Sequence, residues 1–446
     1  MTGRMAVVAD DITGANDIGI MFAKWDYLTH VYSIDDGGYS YDPTRAPQPD
    51  VCILDTNSRL DDRTLAYDKV FAATRLLQQA GWQQFFNKTC SVFRGNIGAE
   101  FDAMLDALGQ EFAVVALGFP KNGRTTINGI HHVHGVPLAE SEFRHDPIHP
   151  MTRSNLVDIL QSQTERRVGL LTHEVVARGP AQLREEIEAR RGSCNYLILD
   201  VVDQAALATI ARAVHDLPVL CGSSALAEEL PPVWGPPPRR EGFLGGRVAN
   251  GRVADGRVSN PPLPATAVLV VAGSLMPQTR AQLDHLRDKG LPFFTLDTAR
   301  LFDEREHEAE IARLAGALNG LLADGRDAVL HAPNDPAEVA AARRAAAGQG
   351  LDNTALGRLV SAMLAEVTRR VVQEAGVRRL VVAGGETSAA VARRLGITGL
   401  RIWKEIQPGL PSCLTLTEPP LLLVLKSGSF GSPDFLEQAI EHVKEP

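Results

Sequence analysis

Cysteine is scarce in this sequence. The 446 residues contain five cysteines, none of them in a Cys-x-x-Cys pair, at positions 52, 90, 194, 221 and 413. A small fold held together by disulfides needs closely and regularly spaced cysteines, and such folds belong to oxidising compartments. The spacing therefore indicates a reducing environment, and we expect a cytoplasmic protein.

A basic excess and long apolar runs are also missing. The formal net charge is -9 at pH 7, whereas proteins that bind nucleic acid or anionic membranes carry basic surface. No apolar run reaches the ~18 residues of a membrane-spanning helix, and the N-terminus lacks the basic and long apolar stretches of a signal peptide. We therefore expect no nucleic-acid partner, no membrane partner and no export.

The two common nucleotide-binding fingerprints are absent as well. No G-x-G-x-x-G occurs, and KSGSFG at 426–431 lacks the G-x-x-x-x-G-K-[ST] spacing of a P-loop. Any phosphate site must therefore use other turns of the backbone.

Short apolar runs and helical patterns alternate along most of the chain. Parallel α/β sheets produce this alternation, and 446 residues exceed the ~250 to 300 that one core usually supports. We therefore predict two α/β domains with mainly parallel sheets and a ligand cleft between them. The predicted strands are 5–9, 51–55, 83–87, 112–118, 168–172, 196–200, 218–221, 267–274, 327–332 and 420–431, and the α/β pattern also continues through 379–396.

A change in composition separates the two halves. Residues 231–264 are rich in proline and glycine and include GRVANGRVADGRVSN, three copies of a five-residue unit. This composition predicts a solvated linker, and the alternative is a nucleic-acid tail made by the repeated arginines. The predicted units are a first domain at 1–230, the linker at 231–264 and a second domain at 265–446.

Polar residues follow the predicted strands, and ligands of open parallel sheets gather at those carboxyl ends. In the first domain these residues mix carboxylates with cations, which suits a small hydroxylated acid. They are Asp10, Asp11, Thr13, Asp55, Asn57, Ser58, Arg59, Lys88, Thr89, Ser91, Arg94 and Gly95.

The corresponding turns of the second domain have a different character. They are made of glycine and hydroxyl residues, whose backbone N–H groups can cradle phosphate at a helix N-terminus. They are Gly273, Ser274, Gly384, Gly385, Glu386, Thr387, Lys426, Ser427, Gly428 and Ser429. Together, the two sets indicate phosphoryl transfer from a nucleotide to a hydroxy acid.

Simpler interpretations remain open for each feature. Asp11 or Thr13 can cap the helix that follows, and the glycine turns can be ordinary connections. The histidines of HHVH (131–134), with His145 and His149, raise the alternative of a zinc hydrolase, although no Cys or Glu stands at ligand spacing. A nucleophilic Cys90 would need a neighbouring histidine base.

Five motifs, in order along nearly the whole chain, carry a family resemblance. They are VVADDITGANDIG (7–19), NKTCSVFRGNIGAE (87–100), GFPKNGRTTINGIHHVHGVPL (118–138), VVAGGETSAAVARRLGI (381–397) and LKSGSFG (425–431). In these motifs the chain resembles the four-carbon acid sugar kinase family. The resemblance implies an ATP-dependent kinase of D-threonate, D-erythronate or 3-oxo-tetronates, with the sugar acid on the N-terminal domain and the nucleotide on the C-terminal domain.

The resemblance also assigns residues. It implies substrate contacts at Asp11, Arg59, Lys88, Thr89, Cys90 and Ser91, with Arg94 following, and nucleotide contacts at Ser274, Gly384, Gly385, Glu386, Thr387 and Gly428. Members of the family often show K-x-D-S-T-L-R-G-N where this chain reads KTCSVFRGN, so Cys90 replaces a carboxylate.

The sequence thus predicts transfer of the ATP γ-phosphoryl group to the 4-hydroxyl of a sugar acid, with Mg²⁺ bridging phosphate oxygens. We expect Asp11 to accept the hydroxyl proton, with Asp10 in reserve, and Arg94 to face the phosphoryl group. D-threonate is the expected substrate, with D-erythronate and 3-oxo-tetronates as alternatives. A non-catalytic sugar-acid-binding protein is the remaining alternative, and a homodimer is expected from base rates.

Overall fold

A computed structural model describes residues 4–35, 38–44, 48–146, 148–237 and 267–444. The described strands are β1 (Met5–Ala9), β2 (Thr29–Asp35), β3 (Gly38–Tyr39), β4 (Val51–Asp55), β5 (Phe85–Lys88), β6 (Ala113–Ala116), β7 (Arg124–Ile127), β8 (Ile130–Val133), β9 (Val136–Pro137), β10 (Val168–Leu171), β11 (Tyr196–Leu199), β12 (Val219–Gly222), β13 (Val268–Ala272), β14 (Phe293–Thr295), β15 (Ala328–His331), β16 (Arg379–Ala383), β17 (Gly399–Gln407), β18 (Leu410–Thr415) and β19 (Leu422–Lys426).

Helices occupy most of the connections between these strands. The described helices are α1 (Ile12–Ala23), α2 (Arg63–Gln79), α3 (Ile97–Leu108), α4 (Leu156–Gln161), α5 (His173–Val176), α6 (Pro180–Arg190), α7 (Gln204–Val214), α8 (Ala225–Trp234), α9 (Pro277–Asp288), α10 (Glu304–Ala323), α11 (Pro336–Gly348), α12 (Asn353–Glu374), α13 (Gly385–Arg394) and α14 (Phe435–Lys444).

Two parallel sheets form the centre of the molecule. In the first half of the chain the strand order is β10-β11-β6-β12-β5-β1-β4-β2, and in the second half it is β19-β16-β13-β15-β14; within each run all pairs are parallel. Strands such as β1 and β4 are buried along their whole length, as expected when helices cover both faces of a parallel sheet. The predicted α/β class is confirmed.

An antiparallel hairpin joins the two parallel sheets. Strand β17 pairs with β2 on one side and with β18 on the other, and β18 pairs with β19. All these strands therefore belong to one continuous sheet. The sequence did not predict β17 or β18, since an amphipathic antiparallel pair lacks the uninterrupted apolar run by which the parallel strands were found.

A small sheet, β7-β8-β9, lies apart from the large one. It contains the HHVH segment, which the sequence did not assign to a strand. The predicted linker begins within α8, because this helix continues to Trp234. Residues 238–264 of the linker, with the Gly-Arg-Val units, lie outside the described residues, and the linker interpretation stays a prediction. Within the described ranges no helix is both long and apolar enough to cross a membrane.

Candidate active site

The carboxyl ends of β1, β4 and β5 meet at one edge of the sheet. The register pairs Ala9 of β1 with Asp55 of β4 and with Lys88 of β5. Asp10 and Asp11 follow β1 directly, and the turn after β4 carries Arg59. The parallel topology thus gathers carboxylates and cations that are up to 78 positions apart along the chain, counted from Asp10 to Lys88.

Arg59 binds both carboxylates of the pair. Its Nε and Nη2 donate to Asp10 Oδ2 and Oδ1 at 2.7 and 2.8 Å, and its Nη1 donates to Asp11 Oδ2. Burial acts to raise the pKa of the Asp11 carboxyl, but Arg59 and Lys88 outweigh it and hold that pKa below its ordinary value. Asp11 is therefore ionised, and the two-pronged contact makes Asp10 the anchor of the guanidinium.

Asp11 also begins the first helix. Its Oδ1 accepts from the backbone N–H of Gly14 at 2.6 Å, and its Oδ2 accepts from Thr13 Oγ1 at 3.0 Å. The capping interpretation is therefore correct for Asp11, and capping accompanies the contact with Arg59. A Cβ atom at Gly14 would lie 2.7 Å from Asp11 Oδ1 and 2.8 Å from Lys88 Nζ, so only glycine leaves room for both groups.

The turn after β5 brings Cys90 and Arg94 to the same edge. Arg94 Nε donates to Cys90 Sγ at 3.3 Å, and its Nη1 donates to Asp146 Oδ2 at 2.7 Å. Burial acts to raise the pKa of the Cys90 thiol, but Arg94 and Arg59 more than offset burial and lower that pKa. In the described part of the chain the partner of this sulfur is an arginine, which cannot serve as the base that a nucleophilic cysteine needs.

The histidine segment has a structural role in the small sheet. His131 is fully buried, its Nδ1 lies 3.1 Å from Thr126 Oγ1, and its Nε2 lies 2.9 Å from the Ser91 carbonyl. Burial lowers the pKa of His131 to about 3, so the ring is neutral. Both nitrogens are occupied, and among the described residues no group of three His, Cys, Asp or Glu side chains could hold a metal ion.

Glycine turns of the second domain face this edge. Gly384 has φ +123° and precedes α13, and a Cβ atom there would lie 3.3 Å from the Ser274 nitrogen. A Cβ atom at Gly428 would overlap Ser274 Oγ. The turns at 384 and 428 therefore both pack against Ser274, the first against its backbone nitrogen and the second against its side chain, and glycine leaves room for both approaches.

A buried lysine holds the last of these turns. Lys426, at the end of β19, is fully buried, and its Nζ donates to Thr279 Oγ1 at 3.0 Å. Thr279 Oγ1 in turn donates to the Gly428 carbonyl at 2.8 Å. Burial lowers the pKa of Lys426 to about 7. The lysine therefore fixes the backbone of the Gly428 turn from inside the domain.

Two cavities open at this edge. The inner recess has about 20 Å³ of free volume, enough for a single water molecule. It is lined by Asp11, Thr13, Gly14, Asp17, Arg59, Lys88, Cys90, Ser91, Val92, Arg94, Phe143, Gly409, Leu410, Ser427, Ser429 and Phe430.

The outer cleft is much larger, at about 930 Å³. Its lining includes the glycine turns together with Asp11, Arg59 and Arg94, and it also includes many apolar side chains. Apolar lining residues are Leu275, Met276, Ala332, Pro333, Pro336, Val339, Ala340, Leu356 and Val360.

The two cavities adjoin at Asp11. Asp11, Arg59, Arg94, Ser427 and Ser429 line both of them. A Cβ atom at Gly385, in the second domain, would lie 3.1 Å from Asp11 Oδ2. The glycine turn that opens α13 is therefore in direct contact with the carboxylate that ends β1.

Most of the predicted site residues line these cavities. Asp11, Arg59, Lys88, Cys90, Ser91 and Arg94 line the inner recess, and Ser274, Gly384, Gly385, Glu386, Thr387 and Gly428 line the outer cleft. Asp10 and Thr89 line neither cavity. The Thr89 hydroxyl is buried without a hydrogen-bond partner in the described part of the chain.

Sequence reasoning did not assign three residues that the fold brings here. Asp17 lines the recess from α1, Gly409 covers it from the β17–β18 turn, and Asp146 holds Arg94. The spacing Asp11-Gly14-Asp17 was a usable signal for Asp17, since residues three apart share a helix face. Gly409 and Asp146 lie in irregular segments whose positions no local pattern indicates.

Comparison with known proteins defines the class of this fold and site. A family described as a sugar-binding N-terminal domain matches residues 5–230, and one described as a nucleotide-binding C-terminal domain matches residues 269–436. A solved structure from Salmonella typhimurium LT2 is 29% identical with a TM-score of 0.77 over 98% of each chain. Haemophilus influenzae protein HI1011 is 28% identical with a TM-score of 0.67 over 97% of this chain and 98% of that one.

Curated relatives narrow the class to a family. The chain is 35% identical to a 3-oxo-tetronate kinase of Cupriavidus necator, over 98% of this chain and 97% of the relative. It is 31% identical to a D-threonate kinase of Salmonella typhimurium, over 99% of each. The chain belongs to the four-carbon acid sugar kinase family.

Proposed function

We propose that this sugar-acid kinase transfers the γ-phosphoryl group of ATP to the 4-hydroxyl of a four-carbon sugar acid. The contact between Gly385 and Asp11 carries the proposal. It brings a backbone turn suited to phosphate within reach of a carboxylate suited to a hydroxyl proton. Phosphoryl transfer depends mainly on such positioning and on neutralising charge.

The outer cleft has the properties that ATP requires. Its apolar side chains, among them Pro333, Val339 and Leu356, suit a flat base, while the turns at Gly385 and Gly428 offer backbone N–H groups and a helix N-terminus to the phosphates. The volume of about 930 Å³ falls in the range of small-molecule sites. Chemistry and size thus support a nucleotide in this cleft.

A carboxylate beside the glycine turns fits Mg²⁺. Glu386 lines the outer cleft, and Mg²⁺ in nucleotide sites is commonly held by one or two carboxylates together with phosphate oxygens and water. When bound, Mg²⁺ would neutralise charge on the phosphate oxygens.

The inner recess supplies the groups for the acid. Arg59 and Lys88 are placed to pair with the carboxylate or hydroxyls, and Arg94, held by Asp146, faces both cavities. Asp11 is the proposed proton acceptor because it adjoins the glycine turn and lines both cavities, whereas Asp10 lines neither. A four-carbon acid exceeds the free volume of about 20 Å³, so the recess must widen to admit it and close again around it.

The proposal also concerns which four-carbon acid is the substrate. The sequence favoured D-threonate, and the relative that carries this name is 31% identical. Relatives from Cupriavidus necator and Pseudomonas fluorescens at 35% carry the name 3-oxo-tetronate kinase. We therefore propose 3-oxo-tetronates and D-threonate as the first two substrates to test.

A coupled assay of ADP release tests the function. The purified chain is given ATP and Mg²⁺ with each of D-threonate, D-erythronate, their L-forms and the 3-oxo-tetronates. We expect ADP release that depends on one of these acids and a 4-phosphate product identified by mass spectrometry and NMR. Binding of an acid without ADP release would instead support the non-catalytic alternative, and phosphate on another oxygen would contradict the 4-hydroxyl assignment.

A further inference from the structure

One carboxylate of the inner recess has no role in the mechanism above. Asp17 lies on α1, three residues beyond Gly14, and is 4% exposed. Its Oδ2 is 3.5 Å from Lys88 Nζ, while its Oδ1 is buried and makes no hydrogen bond of ordinary geometry in the described part of the chain. The Ser224 hydroxyl, itself buried and unpaired there, is near enough to act on the pKa of this carboxyl but does not complete a hydrogen bond to Oδ1. Leaving a buried acceptor unpaired costs roughly 1 to 3 kcal/mol, so such an atom at a cavity wall points to a donor that arrives with a ligand.

On the opposite wall of the recess, a glycine packs against this oxygen. Gly409, in the β17–β18 turn of the second domain, has φ +76°. A Cβ atom there would overlap Asp17 Oδ1 and lie 3.4 Å from Phe119 Cε1. The turn therefore closes the recess over α1, and the recess must widen here before a ligand group can reach the oxygen.

The position of Asp17 separates it from the reacting end of the site. Asp11 touches the glycine turn of the nucleotide domain, and Asp17 lies six residues further along α1, which is about 9 Å of helix rise. Lys88 stands between them, since its Nζ is close to both Gly14 and Asp17. A ligand group at Asp17 is therefore one that is not phosphorylated.

We propose that Asp17 accepts a hydrogen bond from the C2 or C3 hydroxyl of the sugar acid, while Lys88 donates to the same oxygen. This inference rests on the proposed function and adds a specificity-determining residue to it. A hydroxyl can both donate and accept, so it satisfies the carboxylate and the ammonium together. A keto group or a hydrogen in its place leaves Asp17 Oδ1 buried and unpaired.

Substrates that lack one hydroxyl test the contact directly. The wild type and Asp17→Asn are compared on the best four-carbon acid and on its 2-deoxy and 3-deoxy analogues, each with ATP. We expect the wild type to lose at least tenfold in kcat/KM on the analogue without the recognised hydroxyl. Asp17→Asn should lose at least tenfold on the full acid, show no further loss on that analogue, and keep its KM for ATP within twofold.

A matched variant controls for the loss of a buried carboxylate. Asp200 is fully buried and accepts from the backbone nitrogens of Gly129 and His173, outside both cavities. Any loss in Asp200→Asn should be the same for all three acids. An equal loss on all three acids in Asp17→Asn would overturn the inference.

Two further measurements keep the test decisive. If Asp17→Asn does not fold, Gly409→Ala is used instead, because the added methyl group would approach the same oxygen from the second domain. We expect this variant to raise the KM for the acid at least tenfold and to leave the KM for ATP unchanged. An unchanged KM for the acid would overturn the inference. If the wild type phosphorylates none of the acids, the proposed function fails, and calorimetric binding of the full and deoxy acids tests the Asp17 contact separately.

Discussion

Neighbouring carboxylates at the sheet edge differ in charge because their surroundings differ. Arg59 and Lys88 overcome the effect of burial at Asp11 and lower its pKa, whereas burial raises the pKa of Asp17 to about 6 and that of Asp55 to about 7. Burial also raises the pKa of Glu100, whose Oε1 accepts from Ser58 Oγ at 2.7 Å. Near neutral pH the edge thus combines an ionised Asp11 with Asp17 and Asp55, whose pKa values of about 6 and about 7 lie close to that pH.

Replacing Asp11 by asparagine should remove the proton acceptor and keep the helix cap. The amide oxygen can still accept from the Gly14 nitrogen, so we expect the variant to fold. A general base contributes roughly 10² to 10⁴ in rate, and we expect kcat to fall at least 100-fold with the KM for ATP little changed. Steady-state kinetics in which each substrate is varied while the other is saturating measure both kcat and the KM for ATP.

Two aspartates serve as comparisons for this variant. Asp10→Asn weakens the anchor of Arg59 and should raise the KM for the acid more than it lowers kcat. Asp62 caps α2 through the Thr64 and Leu65 nitrogens, and Asp62→Asn should match the wild type. Near-normal turnover in Asp11→Asn, with loss of turnover in Asp10→Asn, would reverse the assignment.

Asp55 predicts a pH dependence of stability. Between about pH 4 and about pH 7 the folded state holds a proton on Asp55 that the unfolded state has released, because its pKa is raised from 3.8 to about 7. The stability from this group is complete below pH 4 and is lost as pH rises through about 7, with a slope of at most ~1.4 kcal/mol per pH unit. Urea unfolding from pH 4.5 to 8 should show this loss in the wild type relative to Asp55→Asn.

The exposed Asp68, on α2, is the control for this measurement. Asp68→Asn should follow the wild type at every pH. A constant difference in unfolding free energy between the wild type and Asp55→Asn would contradict the raised pKa.

At the scale of elements, the glycine turns determine how closely backbones approach one another. The Gly428 turn is held by Lys426 and Thr279 from within and lies against Ser274. Because a side chain at Gly428 would have to displace that serine, this turn is the most sensitive point of the proposed phosphate site.

Gly428→Val should therefore impair nucleotide binding selectively. We expect the KM for ATP to rise at least tenfold and the KM for the acid to change less than threefold. Gly316, on α10, has open space around its Cα, so Gly316→Ala should leave both constants unchanged and stabilise the helix slightly. An unchanged KM for ATP in Gly428→Val would remove this turn from the phosphate site.

The β17–β18 hairpin was not predicted from the sequence, although it forms part of the wall of the inner recess. It joins the two parallel sheets and brings Gly409 and Leu410 to the inner recess. Its pairing with β2 crosses more than 360 positions of the chain, from Val31 to Leu400, and no local pattern encodes such a distant partner. The first domain therefore does not form the inner recess alone.

At the scale of the whole molecule, side chains tie the two halves together around the cleft. Gln278 Nε2 donates to Glu142 Oε1 at 3.1 Å, and Arg358 Nη2 donates to the Leu60 carbonyl at 3.1 Å. Arg124 lies over the Phe430 ring, 5.2 Å from its centroid. The two halves are therefore joined across the cleft by side-chain contacts as well as by the continuous sheet.

The shared cavity wall predicts positive coupling between the ligands. A non-hydrolysable ATP analogue should lower the Kd of the acid at least fivefold, and the acid should lower that of the analogue by the same factor. Gln278→Ala removes one contact across the cleft and should reduce the factor, whereas the exposed Gln182, on α6, is a control whose replacement should not. Calorimetric titrations with and without the second ligand measure the coupling, and equal affinities would contradict it.

The sequence alone determined the α/β class, most of the parallel strands and the polar residues at the ends of those strands, most of which line the cavities. Strands such as β1 and β4 were predicted with their observed bounds, because fully buried strands read as unbroken apolar runs, and the polar residues at their ends mark the ligand edge.

Only the tertiary structure decided how those residues divide their roles. Asp10 and Asp11 are adjacent and identical in sequence, yet Arg59 binds Asp10 through two nitrogens and Asp11 through one, and only Asp11 lies at the junction of the cavities. Likewise the unpaired oxygen of Asp17 is covered by Gly409, which lies 392 residues further along the chain. Such roles depend on which oxygen meets which partner, and that is set by contacts between distant segments.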